Sequence, residues 1–337
     1  MNSPRTQPTR AVLVTGGAGY VGSALVPRLL DLGHRVTVLD WYLYGADVFA
    51  EQARHPRLRE LRGDIRDRAL VERALEGVDT VIHLACISND PSYDLDPALG
   101  KSVNADAFRP LVVSAKRAGV ERFIYASSSS VYGVRSEPEV TEELALEPLT
   151  DYSKYKAECE RILEEEREAG FCTVTLRPST VCGYARRLRL DLVVNILTNH
   201  AIHLGKITVT GGDQMRPNVH VADMVDAYVH LLDQPVAKID GEIFNVGSEN
   251  HTVLELARIV QRALGGSVPI EVVPSNDPRS YHVSSEKIRR QLGFSPRRDV
   301  ERAVLDLKQA FDTGKIENPL TNPLYFNIRR MQEARVV

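Results

Sequence analysis

The sequence has 337 residues, of which 43% are hydrophobic and 26% charged, and its formal net charge is −3. This composition is typical of a soluble globular protein, and the small net charge predicts no nucleic acid and no anionic membrane as partner. No apolar run approaches the ~20 residues that span a bilayer. The four cysteines lack CxxC spacing, so we predict neither a metal site nor a disulfide framework.

Residues 1–10 are polar and contain two prolines, without the apolar core of a signal peptide. We therefore predict a flexible N-terminal tail and a cytoplasmic protein.

The first predicted strand runs directly into a glycine-rich turn. Apolar residues 11–14 precede the glycines of segment 15–22, and an amphipathic segment, 24–32, follows. In such a strand–turn–helix unit, Gly16 forms the turn, Gly19 lets the backbone approach a pyrophosphate, and Gly22 lets helix and strand pack closely. About eighteen residues later the next strand ends in Asp40, whose carboxylate would accept hydrogen bonds from adenosine ribose hydroxyls. Asp40 alone could be a capping residue, but the whole unit predicts dinucleotide binding.

Strands and helices then alternate as far as residue 177. The further strands are predicted at 58–61, 78–86, 122–126 and 171–176, and the helices at 69–75, 98–118 and 152–168. Pro110 should kink the helix 98–118. Asp64 could bond the adenine amino group or cap helix 69–75, and the sequence favours neither. The alternation predicts an α/β fold with a right-handed, doubly wound parallel sheet, Rossmann-like.

From Pro178 onward, glycines and prolines interrupt shorter elements, and only 222–232 and 252–264 have helical patterns. We predict a dinucleotide-binding lobe at 11–177 and a smaller, less regular C-terminal substrate lobe at 178–317, parts of which could return to the first lobe. Segment 318–323 (NPLTNP) breaks any helix, so 318–337 is predicted to be a surface tail.

Tyr152 and Lys156 are separated by one helical turn and so share a helix face. A tyrosine of pKa ~10 is a poor base at neutral pH, and a neighbouring ammonium would lower that pKa. The serines at 127–130 end the preceding strand, at the sheet edge where the glycine turn also lies. Either motif alone is common in surface helices and loops, but their order after a dinucleotide turn favours a catalytic site.

The chain resembles the extended short-chain dehydrogenase/reductase family, in its nucleotide-sugar epimerase/dehydratase branch, from about residue 11 to 312. The matching segments are 15–22 (TGGAGYVG), 63–67 (GDIRD), 83–85 (HLA), 126–133 (ASSSSVYG), Tyr152 with Lys156, 176–178 (LRP), 216–223 (RPNVHVAD) and 244–247 (FNVG).

This resemblance implies NAD as cofactor, Ser128 as the catalytic serine, Tyr152 as the base and Lys156 as its partner. It also implies a set of NAD contacts: Gly16, Gly19, Tyr20 and Val21 at the pyrophosphate, Asp40 at the ribose, Asp64 and Ile65 at the adenine, and Leu84, Ala85, Asn104, Ala126, Tyr152, Lys156 and Pro178 along the rest. The expected substrate contacts are Ser88, Ser128, Thr180, Asn195, Arg216 and Arg279. By contrast, Arg187 and Arg189 are interpreted as surface arginines, and Cys182 as a buried apolar residue.

One departure from the family narrows the predicted activity. The 4,6-dehydratases of this branch carry an Asp–Glu pair where this chain has Ser129 and Ser130, and serines do not eliminate water as carboxylic acids do. We therefore predict C4 epimerisation of a nucleotide-diphosphate sugar. The alternatives are net dehydrogenation or reduction of such a sugar, and a non-catalytic NAD-binding scaffold. The helices that begin near Ala98 and Tyr152 resemble a family dimer interface, which implies a homodimer.

Overall fold

The computed structural model of the chain describes residues 9–275 and 280–335. In this part the strands, in chain order, are β1 (Ala11–Thr15), β2 (Arg35–Asp40), β3 (Leu58–Arg62), β4 (Thr80–His83), β5 (Arg122–Ala126), β6 (Cys172–Pro178), β7 (Thr180–Cys182), β8 (Ile207–Thr210), β9 (Met215–His220), β10 (Glu242–Val246), β11 (Glu249–Thr252) and β12 (Ile270–Val273). The α-helices are α1 (Gly22–Asp31), α2 (Arg68–Ala74), α3 (Asp90–Tyr93), α4 (Pro97–Lys101), α5 (Phe108–Arg117), α6 (Asp151–Glu165), α7 (Val193–His203), α8 (Val221–Leu232), α9 (Val236–Ile239), α10 (Val253–Ala263), α11 (Glu286–Leu292), α12 (Val300–Asp312) and α13 (Asn327–Glu333).

The largest sheet has the strand order β10-β6-β5-β4-β1-β2-β3, and every neighbouring pair is parallel. All five residues of β1 are buried, as expected when helices cover both faces of a parallel sheet. The chain leaves β1 for β2 on one side and reaches β4 on the other, so a crevice opens where β1 and β4 end. The prediction of a doubly wound parallel sheet is confirmed.

Apolar helix faces pack on both sides of this sheet. On one side, Leu25 and Leu29 of α1 contact Met224 and Tyr228 of α8. On the other side, α2, α5 and α6 form a second buried cluster around Phe108. The two layers fix the carboxyl ends of the central strands relative to each other, and this edge is where ligands bind in doubly wound folds.

The prediction of one continuous helix over 98–118 was wrong. The structure has α4, then a π-helical turn over Ser102–Asp106, then α5. The amide of Ala107 donates to the carbonyl of Ser102, five residues earlier. Pro110 thereby lies in the first turn of α5, where its missing N–H costs no intrahelical bond. The irregular turn therefore comes before the proline.

The chain beyond Pro178 builds smaller units beside the main sheet. One small sheet has the order β11-β9-β7, another pairs β12 with β8, and apolar residues of α7, α10 and α12 pack together. The helices predicted at 222–232 and 252–264 are α8 and α10. Two elements return to the first lobe, since β10 extends the main sheet beyond β6 and α8 packs on α1.

The prediction of a surface tail over 318–337 was wrong for its described part. Helix α13 follows the turn at 318–326, and Asn327 and Met331 are each 1% exposed. The breakers at 318–323 do stop a helix, but they carry no information on whether the next residues find a partner. Met331 finds one in the buried cluster beside α2, α5 and α6. Residues 1–8 lie outside the described part.

Within the described residues, none of the helices combines the length and apolarity that a membrane crossing requires.

Candidate active site

A cavity of about 680 Å³ lies where β1, β4, β5 and β6 end, and residues of the second lobe close it. It brings together most of the site residues predicted from the sequence: Gly16, Gly19, Tyr20, Val21, Asp40, Ile65, Leu84, Ala85, Ser88, Ala126, Ser128, Tyr152, Lys156, Pro178, Thr180 and Arg216. Asp64, Asn104 and Asn195 do not line it. Arg279 lies outside the described residues.

The turn after β1 requires glycine. Gly16 has φ +71°, and a Cβ there would lie 2.5 Å from the amide nitrogen of Ala85, at the end of β4. At Gly22, the first residue of α1, a Cβ would lie 2.4 Å from the carbonyl oxygen of Gly17. No side chain caps α1, so its amino end faces the cavity as backbone. A turn of this kind can hold a pyrophosphate against the helix N-terminus.

Asp40 links this turn to the end of β2. Its Oδ2 accepts a hydrogen bond from the amide of Ala18 at 2.9 Å, and its Oδ1 accepts one from the amide of Tyr42 at 2.7 Å. Burial raises the pKa of Asp40, and these two amides partly offset that rise. The carboxylate lines the cavity at the place where an adenosine ribose would lie, so its position fits a dinucleotide cofactor.

The structure decides one alternative for Asp64. The cap of α2 is Asp67, whose Oδ1 accepts a hydrogen bond from the amide of Leu70 at 3.1 Å. Asp64 instead accepts hydrogen bonds from the guanidinium and the backbone amide of Arg66. The capping hypothesis for Asp64 was therefore wrong, and its contact with adenine stays a prediction.

Asn104 does not line the cavity but is hydrogen-bonded to a residue that does. It lies in the π-helical turn, where its Oδ1 accepts from the amide of Ile87 at 2.8 Å and its Nδ2 donates to the carbonyl of Ile87 at 3.0 Å. Ile87 itself lines the cavity. The amide of Asn104 therefore fixes the loop after β4, and its predicted place along the cofactor stays a prediction.

Ser128, Tyr152 and Lys156 converge on the cavity from β5 and α6. Ser128 begins the short helical turn after β5, and its Oγ lies 2.8 Å from the Oγ of Ser130. Tyr152 is the second residue of α6, and Lys156 follows one turn later. The Lys156 Nζ donates to the carbonyl of Ala126 at 2.7 Å and lies 5.8 Å from the centre of the Tyr152 ring.

The electrostatics of Tyr152 in the chain without cofactor are dominated by desolvation. Burial raises the pKa of Tyr152 well above its ordinary value, and the neighbouring Cys86 and Asp90 raise it further. Arg189 acts in the opposite direction. The predicted lowering of this pKa needs the positive nicotinamide ring of bound NAD as well as Lys156, and it stays a prediction.

A buried ionic network lies beside Ser128. Glu160 of α6 accepts hydrogen bonds from Arg177 Nε at 3.0 Å and Arg177 Nη2 at 2.6 Å, and also from the hydroxyl of Ser127. Arg177 Nη1 donates to the hydroxyl of Tyr132 at 2.8 Å, and that hydroxyl donates to Asn245 Oδ1 at 2.7 Å. The network joins α6, β6, β10 and the turn that carries Ser128.

The predicted substrate residues divide between the cavity and the interior. Ser88, Thr180 and Arg216 line the cavity. Asn195 is fully buried, where its Oδ1 accepts from the amide of Gly183 at 2.9 Å and its Nδ2 donates to the carbonyl of Arg189 at 2.8 Å. The amide of Asn195 therefore holds the loop at 183–189, and its substrate contact stays a prediction.

Two arginines were missed by the sequence analysis. Arg187 and Arg189 are 4% and 7% exposed and line the cavity, so their interpretation as surface arginines was wrong. Arg189 forms an ion pair with Asp191 at 2.9 Å and donates to Ser88 Oγ at 3.2 Å. The alternation of charged and apolar residues over 187–190 suggests that the arginines face solvent and the leucines face the core. In the structure all four side chains are buried, so this pattern could not reveal the burial of the arginines.

The four cysteines of the chain are unpaired, and Cys182 is 1% exposed, which agrees with its interpretation as an apolar residue. Burial raises the pKa of its thiol above the ordinary range.

Comparison with known proteins identifies the class that this fold and cavity define. The model of the NAD dependent epimerase/dehydratase family matches residues 12–247. The chain belongs to this family, and its glycine turn, Asp40 and Lys156 fit NAD as the cofactor.

Similar proteins include enzymes of more than one activity. The UDP-glucose 4-epimerase of Lactobacillus helveticus is 29% identical over 309 residues, which cover 86% of this chain and 92% of that protein. The UDP-glucuronic acid 4-epimerase from Bacillus cereus, solved with UDP-glucuronic acid and NAD, has a TM-score of 0.80 at 25% identity and covers 89% of this chain and 99% of its own. DesIV, a dTDP-glucose 4,6-dehydratase from Streptomyces venezuelae solved with NAD, has a TM-score of 0.82 at 26% identity and covers 93% of this chain and 99% of its own.

Proposed function

We propose that this protein catalyses the NAD-dependent epimerisation of a nucleotide-diphosphate sugar at C4. The observation that carries the proposal is the convergence of Ser128, Tyr152 and Lys156 in the cavity that also contains the glycine turn. A volume of about 680 Å³ is in the range of cavities that enclose small ligands.

The side chains have distinct tasks in this reaction. Tyr152, as phenolate, takes the proton of the C4 hydroxyl, and Ser128 donates a hydrogen bond to the same sugar oxygen. Bound NAD supplies reversible two-electron oxidation at the sugar carbon. When the 4-keto sugar has turned and is reduced on its other face, Tyr152 returns the proton to the C4 oxygen. Lys156, anchored on the Ala126 carbonyl, keeps a positive charge beside the phenolate and can donate to the nicotinamide ribose.

Elimination of water from the sugar is disfavoured because the residues next to Ser128 are serines and not carboxylic acids. Ser130 shares a hydrogen bond with Ser128 where a dehydratase carries a carboxylate. Glu137 and Glu139 do not line the cavity, and Glu137 is bonded to its own loop. Asp90 does line it and accepts a hydrogen bond from Thr150. We expect mass spectrometry to show a product with the mass of the substrate, and a product lighter by one water would contradict this prediction.

The test of the activity starts with binding. Calorimetry with UDP, GDP, CDP, ADP and TDP identifies the base, and UDP comes first because similar proteins act on UDP-sugars. The matching sugars are then incubated with the enzyme and followed by NMR. A 4-epimer without accumulation of reduced cofactor supports the proposal. Stoichiometric reduced cofactor would indicate a net dehydrogenase, and binding without any turnover would indicate a scaffold.

We assign the substrate diphosphate to Arg216 and Arg279, as the family resemblance implies. Arg216 lines the cavity, with its guanidinium 5.7 Å from the centre of the Tyr281 ring.

We also infer a cytoplasmic homodimer in which α4, α5 and α6 form the interface. The unpaired cysteines agree with a reducing compartment. Light scattering on the purified protein should give twice the mass of the chain, and a monomer would contradict the inferred assembly.

A further inference from the structure

Arg187 belongs to the second lobe, but it contacts the glycine-turn end of the first. Its backbone amide donates to the hydroxyl of Ser23 at 3.1 Å, and Ser23 is the second residue of α1. The charge of its guanidinium partly offsets the burial that raises the pKa of Asp40 at the end of β2. The side chain lines the cavity, so its backbone is held on α1 while its cation faces the part of the cavity that Asp40 also lines.

The guanidinium of Arg187 is buried, and the carboxylates of Asp191 and Asp40 act on it electrostatically without forming an ion pair. Among the described residues no carboxylate forms an ion pair with it, and its Nε has no hydrogen-bond partner. Its neighbours are the Oδ1 of Asn327, which accepts from Nη2, and the ring of Tyr44, whose centre lies 3.8 Å from Cζ. Burial lowers the pKa of Arg187 to about 10, so the group stays charged at neutral pH at an energetic cost.

Two other buried arginines of the described chain have carboxylate partners, since Arg177 is paired with Glu160 and Arg189 with Asp191. Arg122 resembles Arg187 in having an Nε without a partner, but it donates to three backbone carbonyls and does not line the cavity. Buried charges in proteins are paired or bind ligands. Since Arg187 lines the cavity, its missing partner is an anion that enters the cavity.

Two diphosphates enter this cavity under the proposed function, one from NAD and one from the sugar nucleotide. The backbone amide of Arg187 is bonded to the first turn of α1 and its guanidinium interacts with Asp40, whereas Arg216 lies on β9. A pyrophosphate at the glycine turn faces the amino end of α1. We propose that Arg187 binds the diphosphate of NAD, so that the second lobe completes the cofactor site.

Helix α13 positions this arginine. Asn327 is 1% exposed, and its amide joins Arg187 to the loop after β4, since its Nδ2 donates to Ser88 Oγ at 2.9 Å. Its backbone amide donates to Asp191 Oδ2 at 3.0 Å. Asn327 therefore acts through Arg187 as a positioning residue, and the C-terminal helix becomes part of the cofactor site.

The test compares Arg187→Gln with Arg186→Gln by calorimetry on the cofactor-free protein. Arg186 is the matched control, because it removes the same charge one residue away, pairs with exposed Glu51 and does not line the cavity. The ligands are NAD, ADP-ribose, adenosine and UDP. Arg187→Gln should weaken NAD and ADP-ribose about tenfold or more, the loss expected for a charge-assisted hydrogen bond, and leave adenosine and UDP unchanged.

Unchanged affinity for NAD and ADP-ribose would overturn the proposal. Weaker UDP binding with unchanged NAD would assign Arg187 to the substrate diphosphate and overturn it equally. Arg186→Gln should bind all four ligands as the parent protein does.

Two further variants keep the test decisive if Arg187→Gln does not fold. Arg187→Lys keeps the positive charge but loses the planar guanidinium with its paired donors. Asn327→Ala keeps Arg187 but removes the amide oxygen that accepts its hydrogen bond. Both should weaken ADP-ribose several-fold relative to adenosine, and equal ratios in the parent and both variants would refute the role. This inference rests on NAD binding and not on the sugar reaction. If the protein showed no epimerase activity but still required Arg187 to bind ADP-ribose, only the proposed function would be refuted.

Discussion

Replacing Glu160 by glutamine removes the carboxylate that pairs with Arg177 in the buried network behind Ser128. The side chains of Glu160 and Arg177 are 5% and 4% exposed, and they share two hydrogen bonds. Glutamine has nearly the same shape but no charge, and its amide nitrogen would face a guanidinium donor. The guanidinium of Arg177 would then be left buried without its counter-ion.

The expected cost follows from this burial. Removing one partner of a buried ion pair costs about 3–5 kcal/mol, since the other charge stays desolvated. Glutamine keeps one acceptor oxygen, so we expect the lower end, about 3 kcal/mol. The exposed pair of Arg161 and Glu165, on the same helix, provides the contrast because such surface pairs contribute about 0–1 kcal/mol. Turnover should fall as well, since Ser127 loses a charged acceptor next to Ser128.

The assay is urea denaturation of cofactor-free protein for the parent, Glu160→Gln and Arg161→Gln. Equal denaturant slopes would show that the midpoints report stability. If Glu160→Gln cost no more than Arg161→Gln, the network would not be the support that we infer. A large loss of stability with unchanged turnover would separate the fold from the positioning of Ser128.

Further predictions concern the cofactor and the catalytic side chains. The nucleotide released on denaturation should be NAD, because Asp40 repels a 2′-phosphate, and recovery of mainly NADP would refute this. Tyr152→Phe should keep NAD binding and lower turnover about 10²–10⁴-fold, and near-normal turnover would exclude Tyr152 as the base. Lys156→Ala should reduce both NAD affinity and turnover, measured by calorimetry and NMR, and an effect on neither would remove it from the site. Arg216→Ala should weaken nucleoside diphosphate binding about tenfold with NAD content unchanged, and unchanged affinity would remove it from the substrate site.

The part of the fold that could be predicted from the sequence depends on local signals. The glycines of 15–22 stand out in the sequence because backbone must approach backbone there. A Cβ at position 16 would lie 2.5 Å from the amide nitrogen of Ala85. Asp40 then follows at a fixed spacing. The alternation of apolar strands with amphipathic helices likewise predicts the parallel, doubly wound class of the sheet. These signals depend only on residues that are close together in the chain, so they can be recognised from the sequence alone.

What could not be predicted depends on residues distant in sequence. Asn327 approaches Ser88 and Arg187 only in the folded chain, and no local pattern distinguishes it from any polar residue after a helix breaker. The π-helical turn before Pro110 likewise depends on the loop that Asn104 holds. The desolvation of Tyr152, which raises its pKa in the chain without cofactor, depends on residues that the folded chain brings around the cavity.

The buried cations around the cavity are of two kinds, those that form an ion pair with a carboxylate and those that do not. Arg177 and Arg189 have carboxylate partners and bond the elements that form the walls. Lys156 and Arg187 also line the cavity, but in the described chain they bond only to uncharged groups, the carbonyl of Ala126 and the amide of Asn327. A buried cation without an ion-pair partner is stabilised when a ligand supplies negative charge or strong acceptors. The diphosphate of one dinucleotide and the ribose attached to it would supply both, and so account for the two cations together.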